Sequence, residues 1–197
     1  MTSRGLYYLI RALVTLVAIP FHEAGHALAA WLLGDPTAKR EGRLSLNPFK
    51  HFDLLGTLCM VFAGVGWAKP VSTDPRNFKN PKAGMALTAL AGPVSNFVLA
   101  LLALLCARLV YHQYGALWDF IFDLLLTTAY LSVGLGLFNL IPISPLDGSK
   151  VLFAFLPDSA YEKLMRYEKY GMIALLILVW LGVGDNVLST AIYNVYA

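Results

Sequence analysis

The chain has 197 residues, 58% hydrophobic and only 14% charged, against roughly 25% charged in an ordinary soluble domain. Uncharged runs of 25 residues at 83–107 and 23 residues at 124–146 each exceed the ~20 that a helix needs to cross a bilayer. A water-soluble globule is excluded, and the formal net charge of +3 sits in short segments between apolar runs, a membrane pattern and not a nucleic-acid footprint.

The expected architecture is an all-α polytopic membrane protein, a single domain over residues 1–197, with about 4–6 membrane helices. A first span is expected at 12–33, about 33 Å of helix, preceded by Arg4 and Arg11. A secretory signal also starts basic, but His22, Glu23 and His26 interrupt the apolar core that such a segment must keep. The polar stretch 34–53 follows, and within it the alternation Arg43-Leu44-Ser45-Leu46-Asn47 predicts a short strand closed by Asn47-Pro48. Residues 54–68 are uncharged but short for a helical span, so a β-hairpin or re-entrant segment is expected between the first and second long spans. Segment 67–82 is polar and basic, and the second long span then begins.

After the linker 108–118, Asp119 and Asp123 open the third span, which Pro142 and Pro145 bring to a stop. Residues 158–169 read as a charged interfacial helix with Glu162 and Arg166 paired at i, i+4. The run 170–184 is a last apolar segment. Cys59 and Cys106 lie in apolar runs without CxxC spacing and read as small buried hydrophobes.

His22-Glu23-Ala24-Gly25-His26 is an HExxH motif. On a helix the i, i+4 spacing brings both imidazoles to one face, where they can share a Zn²⁺, one per chain. Glu23 beside them can take a proton from the attacking water and return it to a leaving amine. An ionisable group at the centre of a helix in lipid costs roughly 2.5 to 3.5 kcal/mol, and a bound metal would offset a cluster of three. A catalytic zinc site needs a third protein ligand, for which Glu41, Asp53, Asp123 and Asp147 are the candidate acids.

Topology narrows the choice. If 54–68 does not cross, segments 34–82 and 147–169 share one side and carry 12 of the 15 Lys and Arg, which makes that side cytoplasmic. Asp147 and the histidines can then meet, whereas Asp123 opens its span at the far end.

These residues resemble the site-2 protease family of intramembrane zinc metalloproteases. HExxH matches at 22–26; Asn139 followed by Pro142 and Leu146-Asp147-Gly148 matches the family's second element; Gly92-Pro93-Val94-Ser95-Asn96 matches a third. The strings at 66–71 and 34–38 are similar to small prokaryotic members. The resemblance covers roughly residues 10–157 and implies that Asp147 is the third zinc ligand. It also implies a prokaryotic inner-membrane protein without PDZ or CBS domains, its active site toward the cytoplasm. Its partners would be the lipid bilayer and a transmembrane protein substrate such as a membrane-tethered regulator, with homo-oligomerisation open.

Other motif residues carry further expectations. Gly92-Pro93 reads as a helix-breaking pair, Asn96 as a cavity-facing group that bonds substrate backbone or Asn139, and Asn139 as an oxyanion stabiliser. A substrate helix must be unwound before hydrolysis, and the strand bearing Leu44 and Leu46 could receive it by edge addition. Alternatives from other classes are a metal-binding membrane transporter and a non-cleaving adaptor, neither of which needs Glu23.

Overall fold

Residues 3–56, 58, 68–161, 163, 164, 167, 170 and 171 are described by a computed structural model, and among them every regular element is helical. Helix α1 spans Ser3–Leu32 and a single turn, α2, spans Thr37–Arg40. Then come α3 at Pro81–Val110, α4 at Ala116–Asn139 and the short α5 at Asp147–Phe153. Three of these are long and apolar enough to cross a membrane, over Tyr8–Leu32, Pro81–Val110 and Ala116–Asn139. Most of 54–68 and of 170–184 lies outside the described residues, as do Cys59, Glu162 and Arg166, so the expected hairpin or re-entrant piece and the last apolar run fall there too.

Local chemistry sets the helix ends. Asn80 caps α3 by accepting the Ala83 N–H at 3.1 Å, with Pro81 at the first helical position, where its missing N–H costs nothing. α4 starts earlier than the uncharged run suggests, taking in Asp119 and Asp123, because an acid in the first turn suits the positive end of the helix dipole. It stops at Asn139 and not at 146, since the prolines at 142 and 145 cannot supply the N–H groups that would continue it. Gly92-Pro93 does not break α3, which runs through both residues with Pro93 buried.

No strand forms at 43–47. Asn47 instead caps a 3₁₀ turn at Pro48–Lys50 by accepting the Phe49 N–H. The ring of the fully buried His51 donates Nε2–H to the Ser45 carbonyl at 2.7 Å, and the Arg43 guanidinium donates to the Lys50 carbonyl. Such side-chain bonds to backbone compete with a ladder, and they overrule the alternation. Leu44 is half-buried and Leu46 exposed.

α3 is the central helix, antiparallel to both long neighbours and packed on α1, α4 and α5. Its seam with α4 is built from Ala100, Ala103, Ala129 and Val133, and α1 contributes Ile10, Val14 and Ala18 against Leu99, Phe120 and Leu131. Small residues let helix backbones approach closely where lipid supplies no hydrophobic drive between helices. The large apolar side chains point outward instead, among them Leu101, Leu102, Leu105 and Leu109 on α3. Cys106 belongs to that outer face; it is exposed and free, not buried as expected, because it lies on the lipid side of α3, away from the alanine seam.

At the other end of the bundle α1 closes in a Schellman motif. Gly34, at φ 107°, donates to Trp31, and the Asp35 N–H donates back to Ala30 at 2.8 Å. The Asp35 side chain is fully buried. It accepts the Thr37 hydroxyl at 2.5 Å, the Thr37 and Asp74 N–H groups at 3.0 and 2.8 Å, and the Asn77 amide at 2.8 Å. The chain therefore leaves α1 and re-enters α3 at one end of the bundle, knotted on a single carboxylate. Burial pushes the Asp35 carboxyl up, but donation from Thr37, Asp74 and Asn77 outweighs it and holds the group below its ordinary range.

A carboxyl depressed in this way adds stability that is fully present above its unfolded value and fades as pH falls through the lower folded one. Asp35→Asn should therefore destabilise the protein in detergent by about 2 kcal/mol at neutral pH. The gap to wild type should close in acid, as thermal unfolding at the two pH values will show. A gap that widens in acid would contradict the assignment.

Candidate metal centre

The helix period puts His22 and His26 on the same face of α1, both buried. Asp147, in the first turn of α5, reaches the same point from the other end of the described chain. Its Oδ2 lies 3.2 Å from His22 Nε2 and 3.3 Å from His26 Nε2, and the two ring nitrogens are 3.0 Å apart. These three residues are the group able to hold a metal ion among the described residues. Gly148 makes the approach possible, since any side chain there would run into the Leu140 carbonyl.

The donor set fits zinc. A tetrahedral ion with ligand bonds of about 2.0–2.1 Å keeps its donors about 3.3 Å apart, close to the separations observed. Asp147 Oδ2 is buried without a hydrogen-bond donor. The Thr88 carbonyl can only accept, so at 2.8 Å it takes Nδ1–H of His26 and leaves the Nε2 lone pair facing Asp147. Lone pairs converging in a buried space repel one another unless a cation lies between them.

α3 forms the back wall. Thr88, Gly92 and Asn96 follow one another at helical spacing on one face. A Cβ at Gly92 would overlap both imidazole rings. The Asn96 carboxamide, fully buried, sits with its Nδ2 3.0 Å from His22 Nδ1. The single Ser95 hydroxyl proton lies between two carbonyls, Gly92 of its own helix at 2.7 Å and Phe21 of α1 at 3.1 Å, so this side chain bridges α3 and α1 beside the pair.

The remaining candidates separate cleanly. Glu23 is buried next to His22 and is not one of the three converging donors. Asn139 ends α4 half-exposed and donates its amide to Leu135 of its own helix at 2.9 Å. It has no described bond to Asn96. Asp53 accepts the Gly56 N–H, while Glu41 and Asp123 are exposed, and none of them belongs to the metal cluster. Sequence reasoning missed Thr88, whose contribution is a backbone carbonyl and leaves no side-chain signal. It also missed Lys82, which donates to the Leu156 carbonyl at 2.7 Å and pairs with Asp158, pinning the segment after α5 to the start of α3.

Three apolar helices around a buried His-His-Asp cluster that includes HExxH define an integral membrane metalloprotease. Comparison with known proteins agrees. Residues 109–182 match the sequence profile of peptidase family M50. The chain is 39% identical over 196 residues to a Bacillus subtilis protein named "Putative zinc metalloprotease YwhC", covering 94% of this chain and 89% of that one. It is 31% identical over 168 residues to the similarly named Rip2 of Mycobacterium tuberculosis, covering 83% of this chain and 63% of the relative. It is 23% identical over 154 residues to zinc metalloprotease MJ0392 of Methanocaldococcus jannaschii, covering 78% of this chain and 36% of the relative. No solved structure matches it. The chain belongs to peptidase family M50, the site-2 protease family, and is a zinc metalloprotease. The transporter and adaptor alternatives fall with that assignment.

Overpacking a tight contact costs about 1–3 kcal/mol. Gly92→Ala should thus weaken zinc binding by about 10-fold or more, measured by competition with a chromogenic chelator. Unchanged affinity would contradict the close approach of α3 to the two rings.

Proposed function

We propose that the protein is an intramembrane endopeptidase that cuts peptide bonds in or near transmembrane segments of membrane-tethered regulatory proteins. The observation that carries this reading is the depth of the site. His26 lies six residues before the end of α1, about 9 Å inside the helix, within the span and not on a soluble lobe. His22, His26 and Asp147 would hold the zinc, which supplies Lewis acidity that makes water nucleophilic at neutral pH.

The chain's own groups account for the remaining chemistry. Glu23, beside His22 and buried, accepts the proton of the attacking water and delivers it to the leaving amine. Burial keeps bulk water from competing for that proton. Asn139, at the end of α4 and eight residues before Asp147, has an amide able to turn from the Leu135 carbonyl toward the developing oxyanion. Leu44 and Leu46 lie in the loop that follows α2, at the end of the bundle nearest the histidines, and offer apolar contacts to an unwound substrate segment without forming a strand.

Segments 34–82 and 147–169 hold 12 of the 15 basic residues, which favours the cytoplasmic side for that end of the bundle. The bacterial and archaeal relatives support a prokaryotic source, and with it the cell membrane as the place of action.

Glu23→Gln in the purified full-length protein separates metal binding from chemistry. Zinc content should stay at the wild-type level while turnover of a model transmembrane peptide falls about 100- to 10,000-fold. Cleavage at the wild-type rate would overturn Glu23 as the base.

A further inference from the structure

We propose that Asn96 is a positioning residue for the metal: its carboxamide oxygen accepts Nδ1–H of His22 and so fixes that ring with the Nε2 lone pair toward His26 and Asp147. This inference rests on the reading of His22, His26 and Asp147 as the zinc site. It gives Asn96 a role different from the substrate contact expected from its place in the Gly92–Asn96 motif.

The argument starts from the two rings. His26 needs no side chain to set its tautomer, because the Thr88 carbonyl takes its Nδ1–H at 2.8 Å. α3 runs antiparallel to α1, so the position two turns further along it, Asn96, meets His22. Gly92, between the two, leaves room for both rings. One face of α3 thus presents an acceptor to each histidine, a backbone oxygen for one and a side chain for the other. A histidine that binds metal through one nitrogen commonly donates the other N–H to such an acceptor, which sets tautomer and orientation together.

The contact at His22 is 3.0 Å between Asn96 Nδ2 and His22 Nδ1, and Asn96 Oδ1 is buried without a partner. Which end of a carboxamide is oxygen is decided by hydrogen bonding and not by shape. With nitrogen toward the ring, Nδ1 must be the acceptor, the proton moves to Nε2, and His22 cannot ligate. With oxygen toward the ring, Nδ1 keeps its proton and Nε2 is open. Either orientation leaves one end of the amide without a described partner, so what His22 must do decides between them. Asn96 is also 0% exposed and meets the ring at Nδ1, the nitrogen that is not turned toward Asp147.

The experiment compares wild type with Asn96→Leu, which removes the acceptor at similar size, and Asn96→Asp, which keeps only acceptors. Zinc affinity is read by chelator competition, and the ligand field by the visible absorption of the Co²⁺-substituted protein. Asn96→Leu should bind zinc about 10- to 100-fold more weakly with an altered Co²⁺ spectrum, whereas Asn96→Asp should return both to near the wild-type values. Wild-type affinity in Asn96→Leu with only a raised KM for peptide would overturn the proposal in favour of substrate contact. Failure of Asn96→Asp to recover affinity would overturn it in favour of packing. His26→Ala serves as the reference for the site: if it too binds zinc like wild type, the metal-site reading fails, and if it alone loses zinc, only the role of Asn96 fails.

Discussion

Polar groups inside an apolar slab must satisfy one another, and this constraint organises the molecule. α1 carries two imidazoles and a carboxylate in five consecutive positions, deep in a helix whose neighbours are alanine, leucine and valine. Left alone, such a cluster would oppose insertion. The bundle answers by bringing a carboxylate from α5 and a carbonyl and a carboxamide from α3 to the same place. What results is a small polar chamber with a set of lone pairs aimed at its centre, walled by helices whose outer faces suit lipid.

That chamber depends on close approach. α3 can lie against the histidines because Gly92 leaves space for the rings, and its seam with α4 is close because alanines line it. Asp147 arrives through a tight turn that only a glycine at 148 permits. The Asp35 knot holds the end of α1 against the approach to α3, so the helix face bearing Thr88 and Asn96 stays in register with the face bearing His26 and His22. Lys82 anchors the segment beyond α5 to the start of α3. Loop chemistry at one end of the bundle thereby fixes geometry several turns inside it.

Much of this was legible in the sequence. Length and charge revealed the three long spans, helical periodicity brought His22 and His26 to one face, and the distribution of basic residues put Asp147 at their end of the bundle. Two kinds of feature were not. The alternation at 43–47 suggested a strand because periodicity registers only the side-chain pattern, while the outcome was decided by bonds from Arg43, Asn47 and His51 to nearby backbone. Gly92-Pro93 looked like a break because propensities describe an isolated helix; in the folded bundle the glycine is a space for two rings, and the helix continues. The motif marks Asn96 as a polar residue inside the span, but only a contact across two helices reveals that it faces His22. The Thr88 carbonyl, being backbone, carries no mark in the sequence at all.

The central claim is that one cation is gripped jointly by α1 and α5. Zinc K-edge absorption fine structure on the purified protein and on Asp147→Ala tests it most directly. The wild type should show a single zinc with two imidazoles and a carboxylate oxygen at about 2.0–2.1 Å, and Asp147→Ala should lose the carboxylate from that shell along with most of its affinity. An identical shell and full zinc occupancy in Asp147→Ala would contradict the account.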